Sequence, residues 1–233
     1  GSVGDTLGRG EDELERLLGV CLPEAEAINT TPLPPPERTK GVQFVMPSHA
    51  VPAEEETEIC FAAYYDFRDQ IPPEYMDADR ENFYFDRSEE REDAFTHHNV
   101  LFYAPLGVEK IHDPSFGEWT CAGGDREGEL CEPTDLQSCG AEGLCRSEMK
   151  RNVACRGYGP PLDPIDGSRV AGSDRATFGN LKNIYGSLND SEGFYETIPT
   201  HGIFYWNSHA FNLTTEDGVH HVWRNYYFAD DRR

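Results

Sequence analysis

The sequence predicts an all-β protein, an antiparallel β-sandwich of jelly-roll-like form that carries a long disulfide-braced insertion. This prediction rests on three observations. Several short segments are rich in aromatic and β-branched residues, and almost no segment has the periodicity of a helix. Five of the seven cysteines fall within residues 121–155. A chain of 233 residues is long enough to bury a sizeable core as a single sandwich domain.

The first forty residues are expected to lie outside the sandwich. A short helix is predicted from Glu11 to Val20, because its leucines recur on one side. The proline-rich segment at 31–37 is typical of a polyproline spacer. We therefore assign residues 1–40 to an N-terminal extension and residues 41–233 to the sandwich.

Strands are predicted where apolar and β-branched residues are frequent and charges are few. The predicted strands lie near residues 41–46, 57–67, 95–104, 194–199, 202–211 and 219–229. Residues 68–94 are strongly charged and are expected to form a solvated loop, in which the sequence FYF could add an edge strand. The Cys-rich insertion covers about residues 113–165 and is too long for an ordinary loop, so it needs bracing.

The cysteines indicate an oxidising compartment, so the protein is expected to be secreted, periplasmic or extracellular. The insertion is too rich in Gly, Pro, Asp and Ser to build a core of its own, and disulfides usually supply that deficit. A zinc knot of thiolates is the weaker alternative, because no C-x-x-C spacing occurs. Cys21 is the odd cysteine, either a free thiol or part of an intermolecular bridge. The disulfide candidates are Cys60, Cys121, Cys131, Cys139, Cys145 and Cys155.

The charge and the hydropathy of the sequence argue against two kinds of partner, nucleic acid and the interior of a membrane. A formal net charge of −23 argues against nucleic acid, because phosphate binding needs a basic patch. The same charge would concentrate cations such as copper near the protein, although solubility is the simpler interpretation of it. No apolar run approaches the roughly 20 residues that a membrane-spanning helix needs, so no membrane span is expected.

Three histidines in apolar strands are the strongest functional signal. His97 and His98 are adjacent in one predicted strand, and His209 lies in another. Three neutral imidazoles brought together make a coordination site for copper or zinc. Successive side chains of a flat strand point to opposite faces, so His97 and His98 can share a metal only across a twist or bulge, or through different ring nitrogens. The alternative is one histidine in the core and one at the surface.

A second adjacent pair, His220 and His221, is the main rival for metal. On period-2 counting, His221 shares a strand face with Trp223, Asn225 and Tyr227. His220 falls on the other face, with Val222 and Tyr226.

The sequence from GVQFVMPSHAVPAEEETEICFAAYYDF through THHNVLFYAP and GIFYWNSHAFNLT to HVWRNYYFA resembles one known family. It is similar to the N-terminal domain of the copper type II, ascorbate-dependent monooxygenases, such as peptidylglycine α-hydroxylating and dopamine β-monooxygenases. The resemblance implies that His97, His98 and His209 bind one electron-transfer copper. It also implies that ascorbate or a similar reductant supplies electrons, and that Cys60 pairs with a cysteine following the His-His strand.

The second domain of that family holds the oxygen-activating copper on a His-x-His pair and a Met. No His-x-His occurs in this sequence. The chain therefore resembles one half of a monooxygenase, an oxidoreductase that hydroxylates an aliphatic carbon with O₂. Its expected partner is a second copper domain or chain. In the family, an early cysteine that matches Cys21 reaches across to that second domain. No catalytic residue is assigned within the chain itself.

The function predicted from sequence is thus a type 2 copper site on a β-sandwich, because three imidazoles without a thiolate do not make a blue copper centre. Two alternatives stay open. The chain could bind or sequester copper without a redox partner, or it could be a disulfide-rich interaction module that uses no metal.

Overall fold

The structure is a computed structural model that describes residues 31–94, 96–104, 111–112, 116–141, 143–147, 169–173, 184–187, 193–230 and 232. Its regular structure is β-strand apart from a short 3-10 helix, Pro73–Tyr75. The strands are β1 (Gly41–Val51), β2 (Glu56–Asp66), β3 (Asn82–Glu92), β4 (Thr96–Ala104), β5 (Trp119–Ala122), β6 (Leu144–Ser147), β7 (Arg169–Ser173), β8 (Ile184–Ser187), β9 (Glu196–Pro199), β10 (His201–Phe211) and β11 (Gly218–Phe228).

The strands form two antiparallel sheets, which confirms the predicted all-β sandwich. Sheet I has the order β1-β11-β3-β8, with β9 also paired to β3. Sheet II has the order β5-β6-β2-β10-β4-β7. Strands β10 and β11 follow each other in the chain but lie in different sheets, each flanked by strands from much earlier in the sequence. The centres of both sheets are therefore held by pairings between residues that are distant in sequence.

The main core lies between the two sheets and is unusually aromatic. Phe44 of β1 packs against Tyr65, Tyr103, Phe204 and Tyr226, with ring centroids 5.1 to 6.0 Å apart. These rings come from both sheets, so their burial is what holds the sheets together. The Tyr103 hydroxyl donates a hydrogen bond of 2.8 Å to the Tyr226 hydroxyl, which gives each buried phenol a polar partner.

The prediction of a solvated loop over residues 68–94 is wrong for its second half. Strand β3 lies inside sheet I, between β11 on one side and β8 and β9 on the other, and so it is not an edge strand. Phe83 and Phe85 point into the core, while Glu90 is also buried and forms an ion pair with Arg224 of β11. The carboxylates of β3 break the apolar pattern by which a strand is recognised in a sequence. Their burial becomes favourable only with a cationic partner, which here comes from a strand far along the chain.

The proline-rich segment packs against the outer face of sheet I. Leu33 is buried, and its carbonyl accepts a 2.8 Å hydrogen bond from Gln43. The carbonyl of Pro34 accepts a 2.9 Å hydrogen bond from Asn225. Residues predicted to be a spacer are thus anchored to two strands through backbone carbonyls, which prolines retain although they lack an N–H.

The Cys-rich segment is braced by disulfides, as predicted. Cys121 is bonded to Cys139 and Cys131 to Cys145, so the two loops interleave. Cys60 is disulfide-bonded as well, although its partner lies outside the described residues. The pairing that the family resemblance implies for Cys60 therefore stays a prediction.

The braced segment carries a small apolar cluster of its own, contrary to what its composition suggests. Ile111, Phe116 and Trp119 pack with the cystines against Tyr64 and Ile203 on the outer face of sheet II. The cluster of His97, His98 and His209 lies on a different part of that face. The predicted helix from Glu11 to Val20, Cys21 and Cys155 all lie outside the described residues. Among the residues that the structure describes, none forms a helix long and apolar enough to cross a bilayer.

Candidate metal centre

A bulge in β4 turns both adjacent histidines to the same face of sheet II. His209 of β10 pairs with His98, but the next residue, Ala210, pairs with Thr96, so His97 is the additional residue. Thr96 and Asn99 on either side are buried, whereas His97 and His98 are half-buried. A regular strand would place the two rings on opposite faces, and the extra residue removes this obstacle.

The three predicted ligands converge. His97, His98 and His209 each offer a ring nitrogen, and these nitrogens lie within 4.8 Å of one another. The three ring centroids are 5.0 to 5.2 Å apart. The Nδ1 atoms of His97 and His98 are 3.0 Å apart. Two nitrogens bound at about 2.0 to 2.1 Å to one ion, roughly at right angles, would be separated by about 2.9 Å, so this spacing fits shared coordination.

The outer-face neighbours of the cluster can hold the rings in place. Glu56 Oε1 lies 2.5 Å from His209 Nε2, so the carboxylate can fix a proton on that nitrogen and leave the Nδ1 lone pair for a metal. Phe211 forms an apolar wall, with its ring centroid 4.9 Å from that of His97 and 4.7 Å from that of His209. The Glu56 side chain is 59% exposed, so this side of the site is open to solvent.

The environment favours the neutral form of His98, which is the form that binds metals. Burial lowers the pKa of His98 below its usual 6.5, and the neighbouring rings of His209 and His97 lower it further. A side-chain hydrogen bond with Asn207 opposes this effect and raises the pKa. Asn207 is itself buried and donates a 3.1 Å hydrogen bond to Glu58, so a polar network extends beneath the ring.

The rival pair His220 and His221 does not form a cluster with metal-binding geometry among the described residues. His220 is fully buried between the sheets, where Nε2 lies 2.5 Å from Thr96 Oγ1 and Nδ1 lies 3.2 Å from Ser208 Oγ. His221 points to the opposite face and contacts Asp93. The two rings are therefore separated by the alternation of the strand, and both nitrogens of His220 already have hydrogen-bonding partners.

His220 nevertheless contacts the residues that precede two of the candidate ligands. Thr96 precedes His97, and Ser208 precedes His209, so one ring from sheet I joins both ligand strands of sheet II. Sequence reasoning missed this connection. The only signal was a histidine pair between Val219 and Val222 in a strand, which does not identify the partners of His220.

A group of cysteines is also close enough to hold a metal, but its chemistry excludes that use. Cys121, Cys131 and Cys139 approach one another within 4.8 Å. All three are in disulfides, and a cystine sulfur is not a thiolate ligand. The zinc alternative is therefore not supported by the described part of the insertion.

The fold and this site together define an antiparallel β-sandwich with a cluster of three histidines on the outer face of one sheet. Comparison of the chain with protein families, curated proteins and solved structures found no match in any of the three sets.

Proposed function

We propose that His97, His98 and His209 bind one copper ion as a type 2 centre, and that the chain is an electron-carrying copper module. The observation that supports this most directly is the convergence of three imidazoles from two strands, with two Nδ1 atoms at 3.0 Å, through a bulge at the ligand itself. A hydrogen bond between His97 and His98 would account for that one distance. It would not account for a third ring placed 5.0 Å from both of them.

Copper rather than a harder cation is the ion that this donor set favours. Imidazole nitrogens suit copper and zinc, whereas magnesium and calcium take oxygen ligands. Glu56 can orient the His209 ring, and the lowered pKa of His98 leaves its lone pair available near neutral pH. A bound copper ion would supply one-electron chemistry by alternating between Cu(I) and Cu(II).

The finer proposal is that the module belongs to an ascorbate-dependent copper monooxygenase, in which a second copper domain or chain performs the hydroxylation. It rests on the family resemblance of the sequence. The half-buried site on an open sheet face is compatible with electron entry from a small reductant. The disulfides agree with a secreted or periplasmic location.

The metal proposal is tested by titrating the purified chain with Cu(II). We expect one ion per chain and an electron paramagnetic resonance spectrum of type 2, with hyperfine coupling to nitrogen. His209→Ala should weaken binding by more than about 100-fold, because even the loss of a residue behind a ligand costs about 10- to 100-fold. His112→Ala is the matched control, because the His112 side chain is 60% exposed and lies in another part of the chain.

An intense blue spectrum, a spectrum from oxygen ligands alone, or equal binding by the two variants would contradict the proposal. The electron-carrying role is tested separately by adding ascorbate. The Cu(II) signal should disappear and return on reoxidation. A chain that binds copper but keeps its Cu(II) signal in ascorbate would be a storage or sequestering protein instead.

A further inference from the structure

A cavity of about 520 Å³ lies on the side of the sandwich where β1 and β2 meet the Cys-rich segment. This volume is within the range of small-molecule sites, about 300 to 1,000 Å³. Aromatic side chains of the core form one wall, and apolar residues of the braced segment form the opposite one. The core side chains are Phe44, Tyr65, Phe67 and Phe204, Tyr64 joins them from the outer face of sheet II, and the braced segment contributes Leu136, Ala141 and Leu144.

His221 lines the same cavity and is held in a fixed orientation. Its Nδ1 atom lies 2.8 Å from Oδ2 of Asp93, a fully buried carboxylate that also accepts a hydrogen bond from the backbone N–H of His221. The imidazole lies flat against Trp223, with 6° between the rings and 5.2 Å between their centroids. A carboxylate on Nδ1 places the ring proton there and leaves the Nε2 lone pair to accept a hydrogen bond.

The charge of the lining restricts the ligand. The described lining contains no lysine or arginine, so it offers no fixed cation for an anionic group. Its one carboxylate, Asp66, already forms an ion pair with Arg68. Besides His221 and the hydroxyls of Tyr64 and Tyr65, the polar side chains of the lining are Gln43, Ser48 and Gln70. An uncharged molecule with a planar apolar body and a hydrogen-bond donor matches these walls.

We propose that this cavity binds an uncharged aromatic molecule that carries a hydroxyl group. The ring of the ligand packs among the aromatic side chains, and its hydroxyl donates a hydrogen bond to Nε2 of His221. The cavity shares no residue with the cluster of His97, His98 and His209, so this site is independent of the proposed copper centre.

The test uses 2-naphthol, which is fluorescent and uncharged at neutral pH, and 2-methoxynaphthalene, which has the same ring system but no donor. Both are titrated into the full chain, with ligand fluorescence and tryptophan emission as readouts. We expect one 2-naphthol per chain and about tenfold weaker binding of the methoxy compound, the contribution of one neutral hydrogen bond. Failure of 2-naphthol to bind, or equal binding of both compounds, would overturn the proposal.

Variants locate the site. His221→Phe keeps a flat ring against Trp223 and should remove the difference between the two ligands. Ala141→Trp places a large side chain in the cavity wall at an exposed position and should abolish binding of both. Leu130→Trp is the matched control, since Leu130 is 68% exposed in the same segment and does not line the cavity. Equal loss in the two tryptophan variants would refute the location. If His221→Phe does not fold, the ligand pair on the unaltered chain still decides the proposal.

Discussion

The ring of His220 is expected to make the stability of this protein sensitive to acid, and replacing it should remove its part of that sensitivity. Its imidazole is completely buried between the sheets and contacts the hydroxyls of Thr96 and Ser208, which are buried as well. Burial lowers the pKa of His220 well below its usual 6.5, and the neighbouring rings of His49 and His221 lower it further. The folded protein therefore holds this ring in its neutral form.

The direction of the pH effect follows from that lowered pKa. Below pH 6.5 the unfolded chain binds a proton on His220 that the folded chain does not bind, so the free energy of unfolding falls as the pH falls. Above pH 6.5 both states are neutral at this residue and its contribution is constant. The loss continues downward until the folded-state pKa is reached.

His220→Leu keeps a similar volume but cannot titrate or bond to the hydroxyls. Each buried hydroxyl deprived of a partner costs about 1 to 3 kcal/mol. Because leucine recovers part of this by apolar burial, we expect a net loss of about 2 to 4 kcal/mol at pH 7.5. For a chain of this size that corresponds to a melting temperature lower by roughly 4 to 16 °C. Below pH 6.5 the difference should shrink, since only the unaltered chain then loses stability at this position.

Urea unfolding at several pH values between 7.5 and 4.5 measures this difference. His112→Leu is the control for the loss of a histidine, because the His112 side chain is 60% exposed. Acid sensitivity from His98, whose pKa is also lowered, is common to all three proteins and cancels. A difference between His220→Leu and the unaltered chain that stays constant or widens with falling pH would refute the reasoning.

Two further predictions concern the insertion and the buried ion pair. Opening either described disulfide, whose cysteines are 18 and 14 residues apart, should remove about 3 kcal/mol of unfolding free energy by loop entropy. Denaturation of the paired variants Cys121→Ser/Cys139→Ser and Cys131→Ser/Cys145→Ser measures this without opening the Cys60 disulfide, and an unchanged midpoint would contradict it. Arg224→Met should lower the free energy of unfolding by about 3 to 5 kcal/mol, because Glu90 is left as an uncompensated buried charge. Adding Glu90→Gln to this variant should restore much of that loss. A double variant no more stable than the single one would show that the charge of Glu90 is not the cause.

The sequence was sufficient for the features that depend on local pattern. Strands β1, β2, β4, β10 and β11 are rich in apolar and aromatic residues, and this composition identifies them without knowledge of their partners. Five closely spaced cysteines in a segment poor in apolar residues predicted bracing by disulfides, and the structure confirms two. The candidate ligands His97, His98 and His209 were also found from sequence, because polar rings are rare in such strands.

Tertiary structure alone decided how those residues meet. The pairing of His209 with His98 and of Ala210 with Thr96 creates the bulge that turns His97 outward, and no property of the His-His pair itself determines that register. The same holds for β3, whose many charged residues do not resemble a strand in the sequence. Glu90 can be buried there because it forms an ion pair with Arg224, over a hundred residues later. It holds also for His220, whose hydroxyl partners lie in the opposite sheet. Periodicity encodes which face a residue occupies, but the energy of a buried polar group depends on partners that only the folded chain brings together.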